Sequence, residues 1–281
     1  MLDTSMLSFL APCFAASLIL AGIHAYLGVH VVERGVIFVD LSLAQIAALG
    51  ATIALLMPIS NGDPHAPVVY WISLAFTFMG AFIFSTIRSK RARIPHEAII
   101  GICYAVASAA AILAMSKATS ESEHLKDMLV GNILAVSWPE VGKTALLYGA
   151  IGTFHFIFRK KFLAISMDHK KAEESGLNVK FWDFLFYASF GFVVTSSVSI
   201  AGVLLVFSYL IVPSVAAMLY SDTIGKRLAI GWSMGTIVSA LGVFLSLKLD
   251  LPTGATIVCT FGLALIIMAV VRPIIQPHAV S

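Results

Sequence analysis

The stretch FRKKFLAISMDHKKAEESGLNVKFWDF (158–184) carries ten charged residues. It lies between TALLYGAIGTFHFI (144–157) and LFYASFGFVVTSSVSIAGVLLVFSYLIV (185–212), which carry none. Blocks as apolar as these flanks need to leave water, and the charged island between them needs to stay in it. That contrast decides the fold class.

The composition agrees. The chain of 281 residues is 59% hydrophobic and 12% charged, whereas a soluble domain is roughly 45–50% apolar and about 25% charged. A globule of this composition could not cover its surface with polar groups. The apolar residues fall into blocks of about 18–22, the length of helix that crosses roughly 30 Å of hydrocarbon. The expected fold is therefore all-α, a polytopic transmembrane helical bundle of eight or nine spans in a single membrane domain covering 1–281, with no nucleic-acid partner. The start, MLDTSMLSFLAPCF (1–14), has Asp3 where a secretory signal would carry basic residues, so the first block reads as a spanning helix.

Candidate spans lie near 9–29, 37–57, 68–87, 97–116, 139–158, 182–200, 202–220, 228–247 and 254–271. The 182–220 region reads either as two crossings or as one crossing with a broken or re-entrant piece. Lys and Arg cluster after the odd-numbered spans, at Arg34, 88–93, 159–161 with 169–171, 225–227 and Arg272. By the positive-inside rule this predicts an outside N-terminus and a cytoplasmic island. Cys13, Cys103 and Cys259 lie far apart, each within an apolar block, and read as small core residues.

Within the island, SMDHKKAEESGLNV (166–179) reads as a short amphipathic helix. Asp168 can accept from the free N–H groups of its first turn, and Gly176 can supply the positive φ of its end. Two turns are too short to be stable alone in water. They suit either a groove on a soluble partner or an ordinary interfacial loop. No GxxxxGK[ST] phosphate loop is present, so any ATP hydrolysis belongs to another chain.

Asp168, Ala172 and Gly176, spaced by four and set before an apolar span, resemble the cytoplasmic coupling segment (about 164–180) of the permeases of ABC-type manganese/zinc/iron importers. Four further stretches are similar to that family: RGVIFVDLSLAQIAALG (34–50), IPHEAIIGICYAV (94–106), LVGNILAVSWPEV (129–141) and SVSIAGVLLVFSYLIVPSVAAMLYSD (197–222). The resemblance implies a type II ABC importer fold and a homodimer in the bacterial plasma membrane. It also implies a separate ATPase subunit that binds ATP, an extracytoplasmic metal-binding protein as partner, and a divalent transition metal as cargo. The chain itself would hold no cofactor and be no enzyme.

Polar groups deep in a span are candidates for a translocation path, because burying them is costly unless they pair or line one. Asp40 leads these candidates, reading alternatively as a helix cap or as a partner of Arg34. The resemblance implies a histidine four residues after this aspartate, and Ala44 stands there instead. Gln45 is the nearest polar group, and His24, inside the first span, is the third candidate for metal. Gly202 and Pro213 are candidates for gating or close packing. The resemblance implies that the polar stretch 115–131, with Glu121, Glu123, His124 and Asp127, meets the binding protein; read by itself it is a solvated loop. A stand-alone secondary transporter or channel, or an ABC permease for a non-metal or chelated cargo, remain the alternatives.

Overall fold

The computed structural model describes residues 4–60, 63, 66–87, 95–116 and 133–275. Eleven α-helices occupy them: α1 (Thr4–Glu33), α2 (Val39–Leu56), α3 (Pro67–Ile87), α4 (His96–Met115), α5 (Trp138–Ile157), α6 (Arg159–Met167), α7 (His169–Glu174), α8 (Val179–Ala201), α9 (Val203–Tyr220), α10 (Ile224–Leu249) and α11 (Thr253–Ile275). No strand occurs among the described residues. Eight helices, α1–α4 and α8–α11, are each long and apolar enough to cross a membrane. Hydrocarbon offers the backbone no hydrogen bonds, so crossing segments satisfy their own polar groups by coiling.

The 182–220 region is two helices rather than one broken span. A single residue, Gly202 (φ 75°, ψ 160°), separates α8 from α9. Only glycine adopts that conformation without strain. The position is thus a break between two helices, each long and apolar enough to be a span.

The fifth expected span is less apolar, since Glu140 and Lys143 lie in its first turns. It qualifies only together with α6, from which it is bent by 75°. Arg34, just after α1, donates from Nε to Ser166 Oγ of α6 at 2.8 Å and from Nη1 to Asp183 of α8, so residues 34, 166 and 183 lie together. With the bent pair α5–α6 taken as one span, the described residues hold up to nine candidate crossings.

The chain divides into two compact units. The first contains α1, residues 138–152 of α5 and α9–α11; the second contains α2–α4, the end of α5, and α6–α8. In the first, α1 meets α9 where Gly28 leaves no room. A Cβ there would come within 2.0 Å of the Leu210 carbonyl oxygen and 2.3 Å of Ser214 Oγ. Small residues that let helix backbones approach are the usual glue of membrane helices. Gly28→Leu is expected to destabilise the protein by at least about 1–3 kcal/mol, read as a fall in melting temperature in detergent. In the second unit α2 packs against α3 through Gly50, Gly80 and the bond from Ser73 Oγ to the Ala47 carbonyl (2.8 Å).

The short helix expected in the island is present as α7, and a further helix, α6, precedes it with Asp168 between them and Phe162, Ile165 and Ser166 buried. One expectation needs correction. Cys259 is exposed on α11 rather than packed in the core, whereas Cys13 is buried and Cys103 intermediate.

Candidate functional site

Helix α7 is six residues long, and its ends explain how it forms at all. At the N-terminus Asp168 is extended (φ −151°, ψ 94°), and its Oδ1 accepts from Lys170 N and Lys171 N, both at 3.1 Å. At the C-terminus Gly176 (φ 85°) donates to Glu173 O at 3.0 Å and Leu177 donates to Ala172 O at 3.3 Å. This pair of bonds is the Schellman closure. Ala172 is buried on the inner side, while Lys170, Lys171, Glu173 and Glu174 face out. Propensity alone would not support a helix this short; its caps and one buried face do.

The N–H of Lys171, then its ammonium, holds the Asp168 carboxyl below the ordinary carboxylate range. The folded pKa lies under the unfolded value of about 3.9. The cap's contribution is thus complete above that value and lost as pH falls through the lower folded pKa. Between pH 5 and 8 the cap does not titrate. Asp168→Ala is expected to weaken α7 at neutral pH, while Asp168→Asn retains most of the cap, as measured by protease protection of the 164–180 segment.

Behind α7, the second unit forms an aromatic corner. Phe162 stacks on His155 at the end of α5 (4.4 Å, 14°) and meets the Trp182 and Phe186 rings of α8 edge-on or tilted. His155 Nε2 shares a hydrogen bond of 2.8 Å with Ser189 Oγ. Arg34 enters this corner with its side chain fully buried. Its guanidinium pairs with Asp183, itself 1% exposed, bonds Ser166, and lies 3.9 Å from the Phe186 ring centre.

Asp40 sits in the first turn of α2, and the structure excludes both of its bland roles. Phe38 is the residue at the cap, with no side-chain cap bond, and Arg34 is taken by Asp183. Asp40 is 1% exposed and neither carboxylate oxygen has a hydrogen-bond partner among the described residues. Ala44 shares its face of α2, whereas Gln45 lies about 140° around the helix axis from it and is half-buried. Gln45 is thus not brought beside Asp40.

His24 belongs to the first unit and is fully buried. Its Nδ1 donates to Leu20 O at 2.8 Å, which leaves the Nε2 lone pair buried and unpartnered. A neutral imidazole held this way presents a metal-ligand nitrogen. Among the described residues no group of three or more His, Cys, Asp and Glu is placed to hold a metal. Pro213 lies buried inside α9, where it removes one helical hydrogen bond. Glu121, Glu123, His124 and Asp127 lie outside the described residues.

A family model described as the ABC 3 transport family matches residues 6–272. The chain belongs to the ABC 3 transport family. Among curated relatives, the manganese transport system membrane protein MntC of Listeria monocytogenes is 25% identical over 251 residues, covering 89% of this chain and 86% of that protein. The chelated iron transport system membrane protein YfeD of Yersinia pestis is 24% identical, covering 75% and 74%. Among solved structures, PsaBC from Streptococcus pneumoniae in complex with Fab superposes with a TM-score of 0.76 at 24% identity, covering 92% and 90% of the two chains. That likeness shows the fold. As an ABC 3 family member the chain is a multi-pass permease of the bacterial inner membrane and not an enzyme.

Asp183 and Ser166 were not singled out in the sequence. One signal was available: Asp183 is a carboxylate one turn into an apolar helix, which needs a partner or a function.

Proposed function

We propose that the chain is the membrane-spanning subunit of an ABC importer for a divalent transition metal. It works as a single permease domain over 1–281 and pairs with a second copy of itself. Two ATPase subunits bind and hydrolyse ATP, and an extracytoplasmic binding protein delivers the cargo. The ATPase seats on the 164–180 segment, with Asp168, Ala172 and Gly176 fixing α7 as the contact. Closure of the ATPase moves α7 and, through it, the membrane helices. Gly202 and the Pro213-weakened α9 are the places where those helices yield.

The observation that carries the cargo reading is Asp40, a carboxylate buried in a membrane helix with no hydrogen-bond partner among the described residues. Burying such a group is costly unless it serves a passing cation. His24, in the first unit, is a further candidate donor for cargo, and Gln45 is turned away from Asp40 on α2. The names of the relatives, manganese for one and chelated iron for the other, support a transition metal as cargo.

A second reading, a chelated metal, is favoured by Ala44 standing where the family resemblance implies histidine, and by the lack of a three-ligand group among the described residues. A chelate brings its own ligands and needs few from the path.

The test is ATP hydrolysis by the chain assembled with its ATPase in lipid, with the binding protein empty or loaded with manganese(II), zinc(II) or iron(II), or with an iron chelate. Stimulation by one free metal supports the first reading, and stimulation by the chelate alone supports the second. Solute movement that proceeds without the ATPase would refute both and leave a stand-alone transporter or channel.

A further inference from the structure

We propose that Arg34 is the positioning residue that locks the segment carrying Asp40 to the corner behind α7, so that movement of the coupling segment reaches the cargo path. This inference rests on the importer reading above.

The geometry is specific. Arg34 precedes α2 by one short turn, with Gly35 at φ 64° and Val39 N bonded to Val36 O at 3.0 Å. Asp40 lies six residues from Arg34 along the chain. From the other direction, α6 leads through Asp168 directly into α7, and α8 follows α7 after Gly176. One guanidinium therefore bonds both helices that flank α7, through Ser166 on α6 and Asp183 on α8, and stacks on Phe186 of α8 as well.

A hydrophobic contact could hold these parts together, but it would let them slide. A planar guanidinium fixes both direction and distance. Its cost is visible too: Nη2 is buried without a partner. Buried ion pairs are weak contributors to stability, and well-packed apolar residues in their place are often as good or better. Arg34–Asp183 is therefore an expensive way to fill space and a good way to transmit force. The same rule supplies a way to separate the two roles.

The experiment uses the full chain assembled with its ATPase in lipid, with the binding protein loaded in turn with manganese(II), zinc(II) and iron(II). The readout is the ratio of loaded-protein-stimulated to basal ATP hydrolysis, with melting temperature as the control for folding. The key variant is the double replacement Arg34→Met with Asp183→Leu, which removes both charges and keeps the volume. Its melting temperature is expected to match or exceed that of the wild type. Its stimulation ratio is expected to fall by at least about fivefold, the low end of ordinary coupling between sites. A well-folded double variant with the wild-type ratio would overturn the proposal and leave Arg34 a packing residue.

Ser166→Ala decides the matter if the double variant does not fold. It deletes the acceptor at Arg34 Nε and the bond from Ser166 Oγ to Phe162 O (2.9 Å) while leaving both charges in place. A reduced ratio at unchanged melting temperature upholds the role of Arg34, and an unchanged ratio refutes it. A wild type that no loaded binding protein stimulates sinks the importer reading and this inference together. A stimulated wild type with equally stimulated variants sinks the inference alone.

Discussion

Asp40→Leu is expected to lower metal uptake by at least about tenfold while leaving the protein as stable as the wild type or more so. The two halves of this expectation share one cause. Neither Asp40 oxygen has a hydrogen-bond partner among the described residues, so removing them breaks no hydrogen bond there. An unsatisfied buried polar group costs about 1–3 kcal/mol, more when charged, and leucine of similar size removes that cost without opening a cavity. A residue kept at the expense of stability is kept for something else. For a group that contacts a passing metal, tenfold is a low bound, since losing even an outer contact to a metal costs about 10–100-fold. Uptake of manganese(II), zinc(II) or iron(II) into cells, paired with melting temperature of the purified chain, checks both halves. A destabilised variant would mean that Asp40 is a structural residue.

Gly176→Pro is expected to uncouple the ATPase from the membrane helices, with metal uptake falling at least about fivefold, the low end of ordinary coupling between sites, although Asp40 and the spans are untouched. Gly176 holds φ 85° and donates to Glu173 O; proline fixes φ near −65° and has no N–H to donate. The end of α7 then cannot close, and its six residues lose half of what holds them. Replacements should grade with their tolerance of positive φ. Asparagine visits that region most readily after glycine, and alanine is strained by about 1–2 kcal/mol. The expected order of uptake is Gly, Asn, Ala, Pro. A Gly176→Pro protein that transports normally would remove α7 from the mechanism.

Much of this was legible before any coordinates. Helical spans are long, and hydrocarbon admits few other solutions, so eight apolar stretches could be placed within a few residues of their observed ends. The caps of α7 were legible because capping is local: Asp168 and Gly176 act on backbone atoms within four residues of themselves. The 75° bend between α5 and α6 was not, because Phe162 on α6 is held in part by Trp182 and Phe186, twenty and twenty-four positions away. Arg34 could be read as a basic residue at one membrane face and as a neighbour of Asp40. Its true partner, Asp183, lies 149 positions along the chain. A pairing at that separation is fixed by tertiary packing and by no local pattern. The close approach at Gly28 was hidden for the same reason, since it depends on where Leu210 and Ser214 of α9 fall.

The central claim is that a metal crosses past Asp40 and that a partner ATPase drives it through α7. Its most direct test is metal uptake into lipid vesicles that contain the chain and its ATPase, with loaded binding protein outside and ATP within. The account predicts uptake of at least one of manganese(II), zinc(II) and iron(II) that requires ATP and is lost in both Asp40→Leu and Gly176→Pro. Uptake that runs equally without ATP, or that either variant carries at the wild-type rate, would contradict it.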